Sequence, residues 1–340
     1  MSVIDLFWAA RYPPIDHIYL SFKGKTVLVT GASSGLGLHA AIKYAAQGAS
    51  TLILGVRTVE KGVQAKAAIV EATGCSPNII VILALNLDSL ASVYDFAARL
   101  DAIVPELHII QLAGGADSYK YEPSQNGLEM ALQCNVLSPT LIALLLLPKL
   151  HATAAALPAG SEDYCYISFV NSTAHLEVEA GDIPEAQSLL QLIHNPDEFE
   201  PTVNYYLVKL VGWFAMRGVA KLCDGLGDCR GTRIIVNASC PGLCKTNMMR
   251  HAPLTQRIIM GIAYFIMGRT AEQGSRTLVS ATALGPESHG RFWTDDNYPA
   301  RSELLASNRG FRLFRKTWSE ISAILCRYVI PQDQSDEDIK

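Results

Sequence analysis

Tyr205 and Lys209 stand four residues apart in the run NYYLVKLVGWFAM, so on a helix both project from one face. A free phenol titrates at about 10 and is a poor proton carrier at neutral pH. A cation held beside it favours the phenolate and brings it into the range of acid–base work. Tyr206 lacks that help, because Leu210 occupies the equivalent position one turn on. Tyrosine–lysine pairs arise by chance, so the weight of this one depends on what stands upstream.

Upstream lies Thr30-Gly31-Ala32-Ser33-Ser34-Gly35-Leu36-Gly37, entered from an apolar run and left through a helical pattern. Glycines permit the tight turn and let the backbone approach a pyrophosphate. The helix N-terminus adds unpaired N–H groups and a partial positive charge. Strand, glycines and helix in that order point to a dinucleotide. Sites for NAD place an acid after the second strand to hold the ribose hydroxyls. Here the chain reads Leu54-Gly55-Val56-Arg57, and the guanidinium of Arg57 suits a 2′-phosphate. NADP is therefore expected in preference to NAD.

These groups need a frame that brings distant residues to one edge. From Lys25 to about Pro286 apolar runs alternate with amphipathic stretches. This predicts an α/β fold, a Rossmann-type doubly wound parallel sheet with helices on both faces. Strands are expected at Thr26–Thr30, Ser50–Leu54, Ile79–Leu83, His108–Leu112, Tyr164–Val170 and Arg233–Ala238, with a short one near Gly290–Trp293. Helices are expected at Gly35–Gln47, Val59–Thr73, Ser89–Ile103, Leu128–Leu150, Val203–Leu222 and Ala271–Leu284. A single catalytic domain over 24–297 would carry an N-terminal extension, 1–23, and a helical tail, 298–340, frayed at its polar end. The segment Thr173–Thr202 is acidic, with neither Lys nor Arg, and its PEAQSLLQLI section suits a short helix. It is expected over the substrate entrance, as a lid or as a surface for a partner.

Over residues 23–297 the chain resembles the short-chain dehydrogenase/reductase family. It carries the T-G-x-x-x-G-x-G loop, the Y-x-x-x-K pair, Ser172 in FVNSTAH, Asn135 in LQCNVLSP and the segment Cys240–Thr246, similar to the family's P-G-x-x-x-T. SHGRFW and KTWSEI resemble fungal reductases of secondary-metabolite pathways and retinol-dehydrogenase-like enzymes. The resemblance implies that Tyr205 exchanges the substrate hydroxyl proton, while Lys209 lowers the phenol's pKa and holds the nicotinamide ribose. It implies that Ser172 donates to the developing alkoxide and that Asn135 holds a water leading from Lys209 to solvent. Pro241, Gly242 and Thr246 would close over the nicotinamide. Two departures stand out. The family's N-N-A-G is Gln111-Leu112-Ala113-Gly114, so Leu112 replaces the asparagine that braces the sheet, while Ala113 and Gly114 still let the backbone pass the adenosine ribose. The acid that meets adenine after the third strand is Asn86, whose amide still recognises the ring edge.

Composition sets outer bounds. The chain has 340 residues, about half of them apolar, and a net charge of −4, which argues against a nucleic-acid partner. The eight cysteines include no C-x-x-C and no zinc spacing, as expected of free thiols in a reducing compartment, and the chain reads as cytoplasmic. Ile258–Met267 is about half the length of a membrane span. It is expected as a buried helix or a substrate-facing lid, with peripheral membrane contact the lesser alternative. His175 and His194 are expected as loop histidines, and no metal pattern recruits them. The expected partner is a small, fairly apolar carbonyl or alcohol, with homo-oligomers formed through Leu128–Leu150 and Val203–Leu222, as the family often does. The same scaffold also serves a nucleotide-binding regulator without turnover, or an isomerase or lyase.

Overall fold

Buried β-branched and leucine-rich runs form the centre of the molecule. The computed structural model describes residues 3–116, 119–184, 187–225, 229–245, 261 and 263–329. Its strands are β1 (Thr26–Thr30), β2 (Thr51–Val56), β3 (Ile80–Ala84), β4 (Ile109–Leu112), β5 (Cys165–Val170), β6 (Ile234–Cys240) and β7 (Phe292–Thr294). They form one seven-stranded sheet in the order β3-β2-β1-β4-β5-β6-β7, and every pairing is parallel. Both faces of such a sheet must be covered, which is why its strands read as continuous apolar runs.

The cover comes from two helical layers. On one face lie α2 (Gly35–Ala46), α3 (Val59–Thr73) and α7 (Ala271–Ser280); on the other lie α4 (Leu90–Ile103), α5 (Met130–Ala156) and α6 (Pro201–Gly225). This is the doubly wound fold that the alternation predicts. Strand order reverses between β1 and β4, and the crevice at that switch point is where such sheets bind ligands.

The helices nearest the two ends of the described residues lie outside this plan. Helix α1 (Val3–Arg11) forms within the extension, where no helix is expected. Helix α8 (Asn308–Val329) ends the described chain, as the tail's pattern predicts, and packs on α4, α5 and α6. Its Phe314, Ile321 and Leu325 are buried. Gly218 of α6 lies flat under the Trp318 ring, where any side chain would collide. Part of the surface expected to pair subunits is thus occupied by the chain's own tail.

Helix α5 is apolar and long enough to cross a membrane, yet 72% of its most apolar window is buried inside the fold. It is also not the uninterrupted α-helix expected. Gln133–Leu137 forms a π-helical turn, with the Ser138 N–H returning to the Gln133 carbonyl. Pro139 has no N–H to give the Asn135 carbonyl four residues back, so regular α bonding cannot continue there.

Of the apolar stretch Ile258–Met267, residues 258–260 and 262 lie outside the described residues. Helical residues 263–267 carry Phe265, 83% exposed, and Ile266, 46% exposed, so this part is not a buried helix.

Candidate active site

The glycine loop sits at the C-terminal end of β1, beside the switch point. Gly31 has φ +67, and its N–H and that of Ala32 donate to the Gly55 carbonyl at 2.9 and 3.4 Å. A Cβ on Gly31 would lie 2.6 Å from the Gly114 Cα, and one on Gly37 would lie 2.5 Å from the Gly31 carbonyl oxygen. Both positions therefore require glycine for close approach. Gly35, at φ +56, opens α2, and Ser34 precedes it in extended conformation with its side chain exposed and making no cap. The first N–H groups of α2 thus face the space above the loop, as an anionic ligand requires. Ser33 and Leu36 are half-buried in the same turn.

The other predicted cofactor residues surround this cradle. Buried Thr30 accepts the Gly114 N–H on Oγ1 at 3.1 Å, which draws Ala113 and Gly114 against the loop. Arg57 is exposed, two residues past Gly55, and close enough to Cys134 to act on its thiol. Burial pushes that thiol up to about 12 and Arg57 opposes the shift, so Cys134 stays a neutral packing group. The Asn86 Oδ1 accepts the Asp88 N–H at 3.3 Å, so half of this amide already shapes its own turn. Thr246 lies outside the described residues.

Gln111, beside Leu112, ties β4 to β5 and to α2. Its Nε2 donates to the Ser168 carbonyl at 3.3 Å, and its Oε1 accepts from the Tyr44 hydroxyl at 3.2 Å. Tyr44 also meets Thr282 Oγ1 at 3.0 Å, and burial keeps its phenol neutral by raising its pKa. Leu112 is simply core, 2% exposed.

The residues expected to handle the proton lie on α6 and just after β5. Lys209 is buried, and its Nζ stands 5.5 Å from the centroid of the Tyr205 ring. Ser172 follows β5. Its Oγ accepts the Ala174 N–H at 3.2 Å, which leaves the hydroxyl proton free to be donated elsewhere. Asn171 binds the two sides together: its Oδ1 accepts the Ser172 N–H at 2.9 Å, and its Nδ2 donates to the Lys209 carbonyl at 3.2 Å. Asn135 sits in the π turn, with Nδ2 donating to the carbonyls of Ala116 at 2.6 Å and Ala131 at 2.8 Å. That turn packs on α6, where the Cβ missing from Gly212 would meet Val136 at 3.7 Å and Asn171 at 3.9 Å. Sequence reasoning missed Asn171, whose role depends on contacts across the fold.

His175 supports the serine from behind. Its Nδ1 lies 2.6 Å from the Ser172 carbonyl, and its ring stacks on Trp213 at 5.1 Å and meets Phe292 edge-on at 4.6 Å. Burial lowers its pKa to about 4, opposed by the Ser172 carbonyl, so at neutral pH the uncharged ring donates to that carbonyl. A cavity of about 350 Å³ beyond it is lined by Trp213, Phe292, Tyr298 and Arg301 among others, and not by Tyr205 or Lys209. His194 pairs with the Tyr121 hydroxyl at 2.9 Å. Among the described residues no cluster of His, Cys, Asp and Glu is arranged to hold a metal.

The acidic segment forms short turns and a helix at Leu189–Ile193. It is held from below by α8, whose Arg309 donates to the Ile183 carbonyl, and from the side by Tyr121, which meets Phe199 edge-on at 6.0 Å. Past β6, Pro241 is buried and Gly242 has φ +75. A Cβ on Gly274 of α7 would come within 2.8 Å of Leu36 and 3.1 Å of Pro241, so this loop and the glycine loop converge on one spot.

Comparison with known proteins agrees with this geometry. A family model described as short chain dehydrogenase matches residues 25–158. The short-chain dehydrogenase/reductase ffsI of Aspergillus flavipes is 40% identical over 320 residues, 94% of this chain and 91% of that protein. The short-chain dehydrogenase/reductase phmF of Phaeosphaeria nodorum is 37% identical over 312 residues, 92% and 89% of the two chains. The Pseudomonas aeruginosa RhlG/NADP active-site complex shares the fold, with a TM-score of 0.59 at 22% identity over 82% of this chain and 97% of that one. By sequence likeness along nearly its whole length, this chain belongs to the short-chain dehydrogenase/reductase family.

Proposed function

We propose that the protein is an NADP-dependent reductase or dehydrogenase that interconverts a carbonyl and an alcohol on a small, fairly apolar molecule, as an intermediate of fungal secondary metabolism would be. The observation that carries this is the Asn171 bridge, which fixes Ser172 and Lys209 to one another with Tyr205 one turn before the lysine.

A bound reduced nicotinamide supplies the hydride. The protein's own residues manage the oxygen. The Ser172 hydroxyl, polarised by the Ala174 N–H, donates to the substrate oxygen as negative charge develops there. Tyr205 delivers the proton, and the Lys209 ammonium beside its ring stabilises the phenolate left behind. In the oxidative direction the same groups act in reverse. Arg57 holds the 2′-phosphate beside the glycine loop, and the exposed Phe265 and Ile266 belong to a lid for an apolar substrate.

Steady-state kinetics with both cofactors tests the reading. Arg57→Ala is expected to raise KM for NADPH by about 10- to 100-fold, the worth of a charged hydrogen bond, and to leave NADH unchanged. An equal effect on both cofactors, or none, contradicts the assignment of Arg57 and with it the preference for NADP.

A further inference from the structure

Arg269 is among the largest fully buried side chains of the protein, at 2% exposure. A buried guanidinium is tolerable only when paired and hydrogen-bonded, and its partners here come from three distant parts of the chain. Nε and Nη2 donate to the Ala9 carbonyl of α1 at 2.9 and 2.8 Å, across 260 residues of sequence. Nη1 donates to the Pro241 carbonyl at 3.3 Å, and Nη2 pairs with Asp295. The Arg269 backbone bonds the same loop, taking the Lys245 N–H at 2.9 Å and giving its own to Leu243 at 2.8 Å. Gly242 lies directly on the guanidinium, since a Cβ there would stand 2.6 Å from Nη1.

The acid partner comes from a turn under strain. Thr294 and Asn297 exchange both backbone hydrogen bonds, at 3.0 and 2.9 Å, around Asp295 (φ +50) and Asp296 (φ +53). Two positive φ angles in a two-residue turn favour Asn-Gly, so two aspartates cost conformational energy. Both carboxylates are in use. Asp295 holds Arg269, and Asp296 accepts the Ile15 N–H at 2.8 Å. Further along the extension, Arg276 donates to the Pro14 carbonyl at 3.2 Å and Lys43 pairs with Asp16 at 2.8 Å. Residues 9–16 are therefore strapped across the outside of α2 and α7, with Arg269 joining the strap to the loop behind Pro241.

We propose that Arg269 is a positioning residue through which the N-terminal strap and the Asp295–Asp296 turn set the loop Pro241–Lys245, and so tune the nicotinamide half of the cofactor site. The extension is on this account a working part of that site. The proposal rests on assigning that loop to the nicotinamide.

The test is a titration of full-length wild type, Arg269→Lys and Asp295→Asn with NADPH and with 2′,5′-ADP, which carries the adenosine half alone. Amide hydrogen exchange is followed in parallel. Lysine keeps the charge but cannot reach Ala9 and Pro241 together, and Asp295→Asn loosens the same latch should the lysine variant fail to fold. Both variants are expected to weaken NADPH about tenfold, within the usual range of coupling between sites, and to leave 2′,5′-ADP unchanged. Protection of residues 7–17 on adding NADPH is expected in the wild type and lost in the variants. Equal weakening of both ligands, or unchanged NADPH affinity, overturns the proposal. If the wild type prefers NADH, the same contrast is run with NADH and AMP. If it binds no dinucleotide, the proposed function fails on its own. The latch is then judged by whether Arg269→Lys speeds exchange in 7–17 and 241–245 together, as expected, or in one alone, which overturns it.

Discussion

His175 keeps its ring uncharged between Trp213 and Phe292 while holding the Ser172 carbonyl, and that choice has a pH signature. Its pKa is about 4 in the fold, against about 6.5 in the unfolded chain. A depressed folded pKa means that the unfolded state binds the proton first. The stabilisation is therefore complete above about pH 6.5 and is lost as pH falls toward 4, by about 3 kcal/mol in all. Chemical denaturation from pH 7 to 4 is expected to show this loss in the wild type and a flatter dependence in His175→Gln. The same slope in both chains would place the titration elsewhere. Tyr205 and Lys209 were singled out by their spacing, and Ser172 and Asn135 by the resemblance to the family; the fold sets Lys209 beside the Tyr205 ring and ties it to Ser172 through Asn171. His175 and Asn171 were not so singled out, since each works through a contact that only the folded chain makes. The Gln111 bonds to Ser168 and Tyr44 are of the same kind, made across the fold and invisible in the order of residues.

The elements followed the apolar periodicity closely: each strand lies within two residues of its expected ends. Irregularities were the hard part. The π turn in α5 left one local trace, the proline four residues after Asn135, which breaks the ladder at the residue a site needs to aim. The tail helix was legible as a helix, but its berth was not, because that depends on Gly218 being bare. Gly218→Leu would drive a side chain into Trp318, and overpacking of this kind costs about 1–3 kcal/mol. Urea unfolding is expected to show that loss, with faster amide exchange through α8 and part of the acidic segment that Arg309 holds. Unchanged exchange in α8 would mean that the helix does not depend on this contact.

In the whole molecule, the doubly wound parallel sheet was foreseeable from the alternation of strands and helices, whereas its strand order and the convergence of the two loops emerge only in the folded chain. The N-terminal helix was not foreseeable either, since a short extension with scattered aromatics has no periodicity strong enough to announce it. Near either end of the described residues a helix nonetheless supports a loop, α1 through Arg269 behind the loop after β6 and α8 through Arg309 beneath the acidic segment. On the proposed function, Tyr205 protonates an oxygen whose carbon receives hydride from the cofactor. The direct measurement is deuterium transfer from C4-deuterated NADPH to a panel of apolar ketones, with cofactor consumption and alcohol formation counted together. One NADPH is expected to be consumed per deuterated alcohol, with a rate lower by about 10²- to 10⁴-fold in Tyr205→Phe and NADPH affinity kept. Product formed without cofactor consumption, or an undiminished rate in Tyr205→Phe, would contradict it.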